Sequence, residues 1–190
     1  MCHRRVGTRF SVIELALILL GLLIASLPEE SWAGLSRQGI LDVFSKYEEL
    51  NQDFMNSGDP GKGQSRKSHV VSEDEIEQYA SGPFQAALDA AQIRICKHSD
   101  VGVLRGLFHA LLATQNSADE APAWTLGQVF VCRPALVERE FKVLPSNAQA
   151  QLYGILEFGF ENAVYRRPPN DLEVAKLRGK LQRLEPRGSP

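Results

Sequence analysis

Glu157 and Glu161 stand four residues apart in a strongly apolar run, so on a helix their carboxylates share one face. Joined by His109 from a neighbouring helix, they could act as an acid and base pair or hold a cation. This is the one constellation in the chain that points toward a small hydrolase or a metal-dependent enzyme. Such a role needs both carboxylates buried enough to move a pKa into a working range. The alternative is a solvent-facing strip, or ion pairs with Arg105, Arg166 or Arg167. A serine nucleophile would want a glycine-flanked turn, and no Gly-x-Ser-x-Gly occurs. Gly61-Lys62-Gly63 lacks the leading glycine, strand and hydroxyl of a phosphate loop and reads as linker glycine beside a solvated lysine. There is no Cys-x-x-Cys, and His98, two residues after Cys96, is not at zinc-ligand spacing. No catalytic, metal or cofactor-binding set is assigned, and no cofactor is expected.

Cys96 and Cys132 carry a different chemistry. Each falls at the C-terminal end of a predicted helix, and one helix separates the two. In an up-and-down array, helices two apart run parallel, so both ends reach the same pole and a disulfide becomes geometrically possible. An oxidising compartment would favour the bond, whereas in the cytosol two reduced core thiols would be expected. The compartment therefore decides how the pair is read.

The first 33 residues bear on that compartment. His3, Arg4, Arg5 and Arg9 form a basic start, Leu15 to Leu27 is apolar, and Pro28 leads to Ser31-Trp32-Ala33-Gly34. That order is a secretory signal, with cleavage expected between Ala33 and Gly34. The apolar run is shorter than the roughly 20 residues of a spanning helix, although retention as a membrane anchor is the alternative. Phe10-Ser11-Val12-Ile13-Glu14-Leu15 also resembles the start of type IV prepilins. That resemblance implies processing before a phenylalanine with glutamate at the fifth mature position. Arg9 stands where that family has glycine, and the downstream chain lacks the strand pattern of a pilin head.

The whole chain has a formal charge of −2, and residues 1–33 carry three basic and three acidic side chains, so cleavage leaves the balance unchanged. A near-neutral chain of this length reads as one domain and gives no reason to expect nucleic acid. The local exception is the stretch from Arg166 to Arg187, where Arg166, Arg167, Lys176, Arg178, Lys180, Arg183 and Arg187 outnumber Asp171, Glu173 and Glu185. Such an excess would attract an anionic partner, or else form the solvated outer face of a terminal helix.

Hydrophobic spacing supplies the elements that position these groups. Ile40, Val43, Phe44, Tyr47, Leu50 and Phe54 recur at helical steps, predicting an amphipathic helix over 36–55. Residues 57–71 are rich in Gly, Ser and basic side chains and read as a flexible linker, so residues 34–56 are expected to form a separable arm. Ser72 and Glu75 make a capping box. Ser81-Gly82-Pro83 is expected to end that helix and begin an Ala-rich one reaching Lys97.

Ser99 or Asp100 caps a third segment bearing Val103, Leu104, Leu107, Phe108, Leu111 and Leu112. A helix through Trp124 and Phe130 follows a polar turn at 116–122, and Pro134 opens the next. The segment 147–165 has apolar residues all round and is expected to be the central helix. Arg166-Arg167-Pro168-Pro169 ends it, and a last helix carries Leu172, Leu177, Leu181 and Leu184 on one side, before a tail at 186–190.

No strand pattern occurs, so the fold class is all-α, an antiparallel helical array or bundle over 72–185, possibly of stacked helical hairpins. Leu104-Arg105-Gly106-Leu107-Phe108 and Leu152-Tyr153-Gly154-Ile155-Leu156 share a Leu-x-Gly pattern. Their spacing resembles that of HEAT-type and armadillo-type repeats, which implies stacked helical hairpins and carries no functional residue with it. The expected function is an exported adaptor or scaffold that binds another envelope protein, with the Ile40 to Phe54 stripe as its partner-binding face. A membrane-anchored assembly component is the alternative, with membrane contact expected only if the N-terminal segment is retained.

Overall fold

The computed structural model describes residues 34–57, 71–114, 119–168 and 170–186, and every regular element among them is a helix. The all-α class follows. The elements are α1 (Arg37–Ser57), α2 (Glu73–Tyr79), a π-helical turn (Ala80–Phe84), α3 (Gln85–His98), α4 (Val101–Ala113), α5 (Ala121–Cys132), α6 (Pro134–Lys142), α7 (Ser146–Val164) and α8 (Leu172–Gln182). The expected signal segment up to Ala33, most of the expected linker and the end of the tail lie outside the described residues.

Short polar residues set the helix starts as their spacing predicts. Ser72 Oγ accepts from the Glu75 N–H at 3.2 Å, Asp100 from Val103 at 3.1 Å and Asp171 from Glu173 at 2.8 Å. Each bond satisfies one of the amide donors that a helix leaves orphaned in its first turn. Pro122 and Pro134 occupy first-turn positions, where the missing N–H costs nothing.

The break expected at Ser81-Gly82-Pro83 does not occur. The chain widens into a π-helical turn and continues into α3, with the Gln85 N–H reaching back to the Ala80 carbonyl. Proline within an α-helix removes a donor and collides with the carbonyl four residues earlier. The wider turn relieves that collision, and the Ser81 hydroxyl donates to the Glu77 carbonyl at 2.8 Å.

The separable arm is also corrected. Ile40, Phe44, Tyr47 and Leu50 are all buried in the protein's own core, and Val43 packs against it. The described residues from 34 to 186 belong to one compact unit. Gly102, Gly106 and Ala110, spaced four apart, put small side chains along one face of α4, and α1 lies on that face. A methyl group at Gly106 would meet Leu41 and Phe44, and one at Gly102 would meet the Arg37 guanidinium. Tyr47 stacks on Phe84 at 3.8 Å between ring centroids, Phe44 meets the same ring edge-on at 5.7 Å, and the Tyr79 hydroxyl donates to the Val43 carbonyl. Burying each of the four side chains contributes about 1.5–3 kcal/mol. A free arm would forgo that contribution.

Helix α4 packs against α1, α3, α5, α6 and α7, which makes it the centre of the array in place of the expected 147–165 segment. Helix α7 buries one stripe, Leu152, Leu156, Phe160 and Val164, while Glu157, Phe158 and Glu161 are exposed. Its closest partner is α5, where backbone meets backbone. A methyl at Gly127 would overlap the Gly159 carbonyl, and one at Gly159 would overlap that of Ala123. On α8 the buried stripe is Val174, Leu177 and Leu181, continued by Leu184 in the turn after it, with Leu172 exposed at the helix start.

Candidate functional site

The Glu157, Glu161 and His109 constellation is not assembled. Both carboxylates are exposed on α7, and Glu161 is held by Arg178 of α8 through a bidentate contact with N···O distances of 2.7 and 2.8 Å from Nη2. His109 projects from α4 with its side chain 82% exposed and its Nδ1 3.7 Å from Glu48 of α1. Burial pushes the Glu48 carboxyl up against the opposing pull of His109. Solvent and separate partners explain why the four-residue spacing produced no shared site. Among the described residues, no group of three or more His, Cys, Asp or Glu is placed to hold a metal ion.

Cys96 and Cys132 are joined by a disulfide, with their Cα atoms 5.7 Å apart. Cys96 lies near the end of α3 and Cys132 ends α5, so the helices two apart meet at one pole as their order predicts. Arg133, just past α5, donates from Nε to the Cys96 carbonyl at 2.8 Å and closes the same corner.

Two carboxylates organise the rest of the framework, Asp100, expected only as a possible helix cap, and Glu140, to which the sequence assigned no role. Asp100 caps α4 and also accepts from Arg94 of α3 at 3.0 Å and from Arg37 of α1 at 3.2 Å. Burial pushes its carboxyl up, but the Val103 N–H and the two guanidinium groups outweigh that and hold it below its ordinary value. Glu140 of α6 is buried, with Arg139 on one oxygen and Arg105 of α4 on the other, each at 2.8 Å. The Arg139 hydrogen bond, joined by that of Arg105, lowers its pKa against the opposing effect of burial. These are structural ties between helices, with every buried side-chain polar atom hydrogen-bonded among the described residues.

Two concave surfaces among the described residues stand out. One is a hollow of about 800 Å³ between the end of α1, α2 and the end of α4, reached by Phe54 and Met55 and rimmed by Glu73, Glu77 and Asp119. The chain adjoining it at 58–70 and 115–118 lies outside the described residues. The other surface is fully described. Tyr165, just past α7, is 85% exposed, Trp124 of α5 50% and Phe158 of α7 42%. Tyr165 and Asn162 line both a cleft with Trp124, of about 450 Å³, and a neighbouring one with Phe158, so the three rings flank one continuous face.

Four of the six residues of the partner-binding stripe expected on α1 are buried in the protein's own core, so the stripe does not form an exposed apolar surface. Of the other two, Val43 is half-buried and Phe54 is 38% exposed. The aromatic face had a signal in the sequence. Ala123, Leu126 and Phe130 set the buried phase of α5, and Trp124 falls outside it. The four-residue series from Leu152 to Val164 likewise leaves Phe158 on the other side of α7. No known protein-family model matches the chain, and no curated protein or solved structure is significantly similar to it.

Proposed function

We propose that the chain is an exported helical adaptor or scaffold that binds another protein of the cell envelope through the face around Tyr165. The observation that carries this reading is the joint exposure of Trp124 on α5, Phe158 on α7 and Tyr165 in the turn after it, beside Arg166. Tyr, Trp and Arg are the residue types that dominate interface energetics, because they combine a large apolar area with a polar handle. Leaving three large rings in water forgoes burial energy that a partner would recover. Export is supported by the basic start, apolar run and Ser-Trp-Ala-Gly site of residues 1–34, and the bonded cysteine pair suits an oxidising compartment.

A second reading keeps the same face and adds a membrane tether. It draws on the apolar run Leu15 to Leu27 and the prepilin-like Phe10 to Leu15 start. No described helix is long and apolar enough to cross a membrane, so the tether would be that N-terminal run.

The test is a photo-crosslinking amino acid placed at Tyr165 in the full chain, in the cells that produce it. A discrete protein adduct at 165, absent when the crosslinker is at the exposed Lys97 and lost in Trp124→Glu, is the expected result. Equal adducts at both positions, or none at 165, would remove the reading. Because Trp124 is half exposed, its replacement should leave the fold intact, which circular dichroism checks.

A further inference from the structure

We infer that the cleft beside Tyr165 takes an acidic peptide segment of the partner, with a carboxylate on Arg166 and an adjacent apolar side chain between Trp124 and Tyr165. The inference rests on the adaptor reading and adds the chemistry of the segment captured. The cleft arises because Gly127 and Gly159 bring α5 and α7 into backbone contact, leaving a groove along the outside of the crossing. Trp124 and Gln128 line it from α5, and Asn162, Ala163, Tyr165 and Arg166 from the end of α7 and the turn after it. Ala163 adds a small apolar side chain to the lining, which leaves room for a flat apolar group.

The lining contains no carboxylate, and apart from amide and hydroxyl oxygens its polar groups are N–H and O–H donors. The cations nearby are otherwise occupied. Arg167 is paired with Asp171 and Glu173, and Arg178 with Glu161. Among the described residues Arg166 has no acidic partner, so its charge is the one left for a ligand at this end of α7. An arginine matches a carboxylate in both charge and geometry, because its planar fork can present two N–H groups to two oxygens.

The carbonyl end of α7 would repel an anion. Two of its carbonyls are already engaged, however, Asn162 by the Tyr165 N–H and Val164 by the Arg167 N–H.

The chain has two tryptophans, so Trp32→Phe in the full-length protein leaves Trp124 as the only indole reporter. This protein is titrated with a ten-residue peptide of alternating Glu with Leu and Pro, with its Lys-for-Glu counterpart, and with phosphatidylglycerol-containing vesicles. The Glu peptide should shift Trp124 emission, bind at least about tenfold more tightly than the Lys peptide, and weaken as salt rises. Arg166→Glu should cost about tenfold or more in Glu-peptide affinity, and the already paired Arg167→Glu markedly less.

Equal binding of the two peptides, or an indifferent Arg166→Glu, overturns the inference. So does an emission shift that only vesicles produce and Arg166→Glu abolishes, which would make the anion a lipid headgroup. A partner crosslinked at Tyr165 with no Glu-peptide binding would sink the acidic segment and leave the adaptor reading standing. Absence of both would remove the two together.

Discussion

Glu140 is the residue whose chemistry the fold most strongly constrains. Its carboxylate is buried while both of its arginines reach water, so the two halves of the pair are not equivalent. Removing Arg105 and Arg139 together would strand a buried negative charge, whereas Glu140→Gln leaves two cations already solvated. The double variant Arg105→Ala/Arg139→Ala should therefore lose about 3 kcal/mol of unfolding free energy at neutral pH, and Glu140→Gln clearly less. The pH dependence gives the sign. In the native protein the Glu140 pKa is lowered, so its contribution is full above the ordinary value of 4.5 and is lost as pH falls through the folded value. In the double variant burial acts alone and raises it, so the contribution runs the other way. The stability gap between the two proteins should narrow on acidification below about pH 5, measured by urea unfolding at a series of pH values. None of this was legible in the sequence, because Glu140 sits between Arg139 and Phe141 in a run that reads as an exposed helix face. Only the packing of α6 against α4 brings Arg105 to it.

At the scale of elements, helix boundaries were readable where a local side chain sets them, as at Ser72, Asp100 and Pro134. Pairings between helices were not, because they depend on what is missing from a side chain. Gly106 and Gly154 look alike in the sequence, each second after a leucine. Gly106 lies under Leu41 and Phe44, while a methyl at Gly154 would meet nothing within 4 Å. The α5 and α7 crossing makes the same point testable. Gly127→Ala or Gly159→Ala must push two backbones apart and should cost about 2–3 kcal/mol. Gly154→Ala should instead stabilise by about 0.5–1 kcal/mol through higher helix propensity. Chemical denaturation of the three single variants checks the order, and a Gly127→Ala protein as stable as the parent would show that the crossing has room to adjust.

For the whole molecule, the cysteine pair was legible because topology alone puts its two positions at one pole, whereas the docking of the α1 stripe was not. An amphipathic stripe in a sequence does not say whether its complement lies in the same chain, and the Ile40 to Leu50 stripe found its complement on α4. The disulfide spans a sequence separation of 36 residues. Replacing both cysteines by serine should lower stability by about 3–4 kcal/mol and the melting temperature by roughly 10 °C, with the helical circular dichroism signal kept. Loss of helix content in that variant would mean that the crosslink defines the fold instead of reinforcing it. The docking of α1 on α4 has a further bearing on biogenesis. Arg37 and Asp100 meet across 63 residues of chain, and α1 precedes every helix it packs against. During synthesis α1 emerges ahead of α3 and α4, with Ile40, Phe44, Tyr47 and Leu50 uncovered. It must wait in that state until α3 and α4 follow, and in that interval it is a natural client for a holding chaperone.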